Sequence, residues 1–536
     1  MRIICLIVVL LAFVSASSRT TADELLSSTL PLEQVVDQYV DARIKEAGIQ
    51  SAGQVDDANF IRRVTLDLAG RIPTLEETQA FVASTNAEKR TGLVERLMNS
   101  AAFVRHQATE LDTMLMNGTR GSVRPYLLNA LAGNRSWDNI YRDLMLPDEN
   151  DPKMKSAGEF LRQRVRDLDK LTAEVSAIFF GVNVSCARCH DHPLVADWKQ
   201  DHFFGMKSFF SRTYESGGRL AERETGLVKF KTTKGVERQA RLMFLTGTVV
   251  ETDTLKETPG STVKKGKRDN TKNVPPPPPP KFSARAELVR LSLQPRQHDF
   301  FARSIVNRTW HRFFGYGLVM PLDQMHSENP ASHPELLDWL ARDLVEHHYD
   351  LRRLIRGLVL SLAYARDSRW DKGEAPPPSL FAAARLRPLT PMQLAVSLRL
   401  AVTDPQSLSA TLKPEELDKR LEGLESSAGS LARLLEQPGD DFQVGVSEAL
   451  LFSNGPAIEK DLLANGGNRL LDRLNQINNE MEAIDLAVRT ILCRPPRDDE
   501  RKLLGDYLKQ RADRRVEARR QMAWALLTSA EFRFNY

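Results

Sequence analysis

From Leu30 to about Ser211, and again from Ala284 to the end, apolar side chains recur at three- and four-residue steps, which gathers them on one face of a helix. A chain patterned in this way buries its apolar stripes by packing helix on helix, so the fold class is mainly α. Leu32 to Ala47 is the plainest case, with Val35, Val36, Tyr39, Val40 and Ile44 forming one stripe. Asp57 to Leu68 predicts a second helix, stopped by Gly70 with Pro73 beyond. Thr74-Leu-Glu-Glu77 has the spacing of a capping box, and another helix is expected from about Ala87 to Asn99. Asp167 to Phe180, with Leu168, Leu171, Val175, Ile178 and Phe179 inward, should end at Gly181. Further on, Ser332-His-Pro-Glu335 reads as a capping box before Leu336, Leu337, Leu340, Leu344 and Val345. Asp350 reads as the cap of the next helix, and Arg520 to Phe532 as a last amphipathic helix.

The helical spacing is interrupted once. Leu227 to Lys231 and Arg241 to Val250 are β-rich runs separated by Thr-Thr-Lys-Gly, which predicts a small β insertion. A basic stretch, Lys264 to Arg268, and six prolines, Pro275 to Pro280, follow as an extended spacer, and Gly373 to Ser379 is a second spacer. The expected layout is a multi-helical two-domain protein. It has a leader over 1–22, a helical domain over 23–215, the β segment and proline-rich linker over 216–283, and a second helical domain over 284–536 with an internal spacer near 371–384. The formal charge of +4 is small beside 74 basic and 70 acidic residues, so composition makes no case for nucleic acid as a partner.

Met1-Arg2, the apolar run Ile3 to Val14 and the small residues Ser15-Ala16-Ser17 have the layout of a secretory signal peptide, with cleavage expected after Ala16 or after Ala22. The run is too short to span a bilayer comfortably, and no second run approaches that length. The expectation is an exported protein, periplasmic or at the cell surface, with no transmembrane segment after processing. Such a chain keeps three cysteines, Cys186, Cys189 and Cys493, too few for a fold held by disulfides.

Two of these lie in Cys186-Ala-Arg-Cys-His-Asp-His-Pro193. C-x-x-C-H is the attachment signature of c-type haem, with Cys186 and Cys189 as the thioether sulfurs and His190 as the iron ligand. Three readings are open at this segment. The first is covalent haem c at Cys186, Cys189 and His190, with Met206, His202, Met320 or His333 as candidate sixth ligands and a cover of Phe179, Phe180 and the aromatic run Phe203 to Phe210. The second is a zinc site of Cys186, Cys189 and His192, completed by His202 or by Asp191 or Asp201. The third is a small disulfide within the loop. Met206 has the setting of a core residue and His333 that of a surface residue in a first helical turn. His347 and His348 suit a helix C-terminus, and His311 suits aromatic packing. No nucleophile elbow, P-loop, dinucleotide fingerprint or H-E-x-x-H is placed on a suitable element, so no catalytic residue is assigned.

Several segments together carry a resemblance. Phe60 to Thr74, Cys186 to Pro193 and Trp198 to Phe210 are followed by Ala302 to Trp310, Phe314 to Leu318, Asn329 to Leu337, Tyr349 to Leu351, Asn454 to Pro456 and Ser529 to Phe532. In this order they resemble large planctomycete proteins in which a cytochrome-c-like domain precedes a planctomycete-specific domain, both of unknown function. The resemblance implies export and places haem on Cys186, Cys189 and His190 alone. The resemblance itself attaches no reaction; the function expected of covalent haem is electron transfer or redox sensing, with an unknown redox or assembly partner outside the cytoplasm. The alternatives are a non-catalytic scaffold pinned by zinc or a disulfide and, third, a metal-dependent enzyme. The additional upstream C-x-x-C-H module of some relatives is absent from this sequence, and Phe103 to Asp112 lacks the tryptophans expected there.

Overall fold

A computed structural model describes residues 25–251, 280–294, 299–409, 412–438, 446–454, 461–464 and 466–536. The expected leader and the basic and proline-rich stretch, Pro280 excepted, lie outside them. The protein is mainly α. The Leu32–Glu46 helix buries Leu32, Val35, Val36, Val40 and Ile44, the stripe its spacing predicts. Asp56 caps the Asp57–Ala69 helix by accepting from the Asn59 amide at 2.9 Å, and Gly70 ends it in the left-handed conformation. The Thr74 and Glu77 capping box forms in both directions, at 2.7 and 3.1 Å, and opens Leu75–Ala83. Lys89–Met98 follows within the expected span, and Asp350 caps Leu351–Leu360 through the Arg352 and Arg353 amides.

Two local expectations about helices are corrected. Ser332 does not cap a helix. His333 is the N-cap residue of Pro334–Glu346, with no side-chain cap bond, and the Ser332 hydroxyl meets His333 Nδ1 at 3.1 Å. Proline at the first position carries no amide that needs a cap, and its fixed φ starts the helix. The terminal helix is two helices, Arg515–Leu527 and Ala530–Arg533, because the Ser529 hydroxyl caps the second through the Phe532 amide at 3.2 Å.

The β segment also differs. Lys229–Lys231 pairs with Glu237–Gln239, while Arg241 to Val250 forms no strand beyond a bridge from Met243 to Val249. Leu242, Met243, Phe244 and Leu245 are consecutively buried, so this run fills space on every side instead of alternating across a sheet. A hairpin not read from the sequence pairs Thr213–Ser216 with Arg219–Glu222 around Gly217 and Gly218, both at positive φ. It straddles the expected domain boundary at 215.

Two apolar cores organise the chain. One runs from Leu32 to Ala382 and takes helices from both sides of the proline-rich stretch; the second runs from Leu389 to Phe532 and is joined by Leu66 and Ile72. The cores therefore divide near residues 382–389, inside the span expected to be one C-terminal domain. The Asp57–Ala69 helix sits at their junction, giving Phe60, Ile61, Val64 and Leu68 to the first core and Leu66 to the second. Among the described residues, no helix is long and apolar enough to cross a membrane.

Candidate functional site

The Leu168–Phe180 helix delivers the chain to the Cys/His segment, capped at its start by Asp167 and ended by Gly181 at φ 66°. The positive φ favours glycine, and a Cβ at Gly181, 2.8 Å from Met325 Sδ, would have to displace the Met325 side chain. The base of the segment is then pinned to the second half of the chain. Met325 N donates to Gly181 O at 2.9 Å and Asn183 N to Asp323 O at 2.7 Å, while the Asn183 amide reaches the Asp323 carboxylate at 3.0 Å.

Ser185–Arg188 forms one short 3-10 turn with Ala187 buried beneath it. Cys186 and Cys189 are free, exposed thiols on this turn, so the two are not joined as a disulfide. Gln200 holds the far side, its side-chain amide donating to Cys189 O at 3.1 Å and its backbone amide to the Asp191 carboxylate at 2.9 Å.

All three histidines of the region engage Nδ1, and they differ in whether that nitrogen donates or accepts. His190 Nδ1 lies 2.7 Å from Asp191 O; a carbonyl can only accept, so Nδ1 carries the proton and the neutral ring keeps its lone pair on Nε2. His192 is the reverse, its Nδ1 accepting from the Leu194 and Val195 amides at 3.3 and 3.1 Å. His202 Nδ1 likewise accepts from the Lys199 amide at 3.1 Å, and burial holds its pKa below the ordinary histidine value. In both of these rings the lone pair is spent and Nε2 is the protonated nitrogen. Among the described residues, no group of three or more His, Cys, Asp or Glu side chains is arranged to hold a metal ion. The expected zinc set of Cys186, Cys189, His192 and His202 is therefore not assembled.

The expected aromatic cover is corrected as well. Phe179 and Phe180 pack in the first core against Trp137, Tyr141, Phe160 and Phe244, and Phe203, Phe209 and Phe210 are buried there too. The Cys/His segment instead lies at the surface, with Cys186, Cys189 and His190 exposed. Met206 is fully buried in the core as its setting suggests. His333, expected at the surface, is buried against the Phe381 ring, centroids 5.4 Å apart, with its pKa lowered to about 4 by burial. Cys493 is buried and its thiol pKa is pushed up to about 12, which removes it from thiol chemistry.

Residues 35–215 match the family model PSCyt2, a protein of unknown function (DUF1549), and residues 284–425 match PSD1, a protein of unknown function (DUF1553). The chain is a PSCyt2–PSD1 protein. The order is that of a planctomycete cytochrome-c-like domain followed by its C-terminal partner domain. No curated protein and no solved structure matches the chain. In this PSCyt2–PSD1 chain the two matched segments share the first core, and Asp323 and Met325 of the PSD1 segment anchor the base of the PSCyt2 Cys/His turn.

The supports Asn183, Gln200 and Asp323 belong to no sequence motif. Asn183 and Asp191, polar residues flanking the motif, carried a signal for turns. Asp323, separated from Asn183 by 140 positions, carried none.

Proposed function

We propose that Cys186, Cys189 and His190 hold a covalent c-type haem in an exported protein that passes or senses electrons. The observation that carries the reading is the His190 ring. With Nδ1 donating to Asp191 O, Nε2 keeps a free lone pair, the arrangement a ligating imidazole needs and one that fixes its orientation. The donor set fits the group. Two free thiols stand exposed on one short turn, where attachment requires no unfolding of the core. Haem would supply one-electron chemistry at its iron, with a potential set by the axial ligand and by solvent exposure. Gln200 and Asp191 would keep the turn and ring in place, and the surface position of the segment suits contact with a redox partner outside the cytoplasm.

The test is expression with the leader in a host competent for cytochrome c maturation, followed by a pyridine haemochrome spectrum of denatured protein. The spectrum of thioether-bound haem is expected for the native sequence, and its loss is expected in Cys186→Ala with Cys189→Ala. A soluble, folded native protein without that spectrum would overturn the reading.

A further inference from the structure

A cleft of about 620 Å³, within the size range of small-molecule sites, is lined by Asp197, Trp198, His202 and Leu245 on one side and by the PSD1 segment on the other. Trp198 and Phe300, ring centroids 6.0 Å apart and tilted by 54°, form part of its wall with Met325 and Leu337. Most of its polar groups are already satisfied. The Asp197 carboxylate accepts from Ser327 N at 2.9 Å and Ser327 Oγ at 3.1 Å. The Asn329 amide donates to Met320 O and Gln324 O, and Arg303 is ion-paired with Asp338.

Beside these pairs, two ring nitrogens are left over. His202 has Nδ1 tied to the Lys199 amide, so Nε2–H is the group it can offer a ligand. His326 Nδ1, buried in the wall, has no hydrogen-bond partner among the described residues. A sugar would lack partners for most of its hydroxyls, each unpaired buried group being costly. A carboxylate or phosphate would meet an Arg303 whose charge Asp338 already offsets, and the Asp197 carboxylate in the same wall.

We propose that this cleft binds an uncharged aromatic ring compound carrying a phenolic oxygen. The ring lies against Trp198 and Phe300, and its oxygen accepts from His202 Nε2–H. The site neighbours the Cys/His turn, since His192 N donates to Trp198 O at 2.8 Å. Binding does not depend on whether haem is attached.

The test is calorimetric titration of the purified full chain with 2-naphthol, 2-naphthoate and glucose. Saturable one-site binding is expected for 2-naphthol, with 2-naphthoate at least about tenfold weaker and glucose without effect. Ala331→Trp, which fills the cleft, should abolish binding. His202→Phe, which keeps a ring beside Trp198 but removes the donor, should weaken it about tenfold. Should Ala331→Trp fail to fold by circular dichroism, His202→Phe decides the question. Absence of saturable 2-naphthol binding, equal affinity in His202→Phe, or tighter binding of glucose or 2-naphthoate overturns the proposal.

Discussion

Asp67 is buried and still accepts four hydrogen bonds from the side chains of three residues distant in sequence. The Arg387 guanidinium grips it at 2.8 and 2.7 Å, the Tyr364 hydroxyl donates at 2.7 Å and the Asn535 amide at 2.9 Å. Removing the carboxylate leaves a buried cation and two buried polar groups without their acceptor. Asp67→Ala should therefore cost about 3–5 kcal/mol in denaturant unfolding, whereas an exposed pair such as Lys502 with Asp506 should contribute at most about 1 kcal/mol. The nearby His106 gives a pH dependence. Burial, then Arg312, lowers its pKa to about 3 in the folded state. Below about pH 6.5 the unfolded chain takes up a proton at this residue that the folded chain refuses, so stability falls as pH falls towards 3. His333, lowered to about 4, acts with the same sign. Between pH 6.5 and 4.5, above most carboxylate titration, unfolding free energy should decline with acid, and His106→Asn should flatten that slope. An unchanged slope would contradict the assignment.

At the level of elements, what could be read from sequence was what is local. Stripes at three- and four-residue steps, the Thr74–Glu77 box and the stops at Gly70 and Gly181 depend on residues within one or two turns, and all appear. The Ser332 box failed on a local competition, because Pro334 starts the helix without a cap. Arg241 to Val250 failed on a distant one. Gly205 lets the Met243 backbone approach so closely that an added Cβ would meet Met243 Cβ at 2.7 Å, and this packing outweighs strand preference. Gly181 is the element junction that positions the site. Gly181→Ala should destabilise by at least about 1 kcal/mol from its positive φ alone, with more from Met325. If thermal unfolding of Gly181→Ala matches that of the native chain, the turn is not constrained as described.

On the scale of the whole molecule, the Asp57–Ala69 helix joins the two cores through contacts that sequence spacing could not announce. Arg62 donates to Phe534 O at 2.8 Å and Phe532 O at 3.0 Å, and Arg63 to Tyr536 O at 2.9 Å and Arg366 O at 2.9 Å, across separations of 303 to 473 positions. The sequence showed Arg62 and Arg63 only as members of a family segment; their burial follows from the carbonyls that meet them. Arg62→Ala should lower the stability of both cores together, and unfolding followed by hydrogen exchange should show protection lost in Leu93–Met98 and in Ile484–Leu492 alike. Loss confined to one core would separate them. The candidate site was legible at Cys186, Cys189 and His190, while the contrast between His190 and its neighbours His192 and His202 required hydrogen bonds that no motif encodes. The intact mass of the denatured chain, expressed with residues 1–22 in place, tests the haem assignment at Cys186, Cys189 and His190 most directly. A chain heavier by one haem, with the increment lost in Cys186→Ala with Cys189→Ala, is the predicted result, and a native chain of bare polypeptide mass from a maturation-competent host would contradict it.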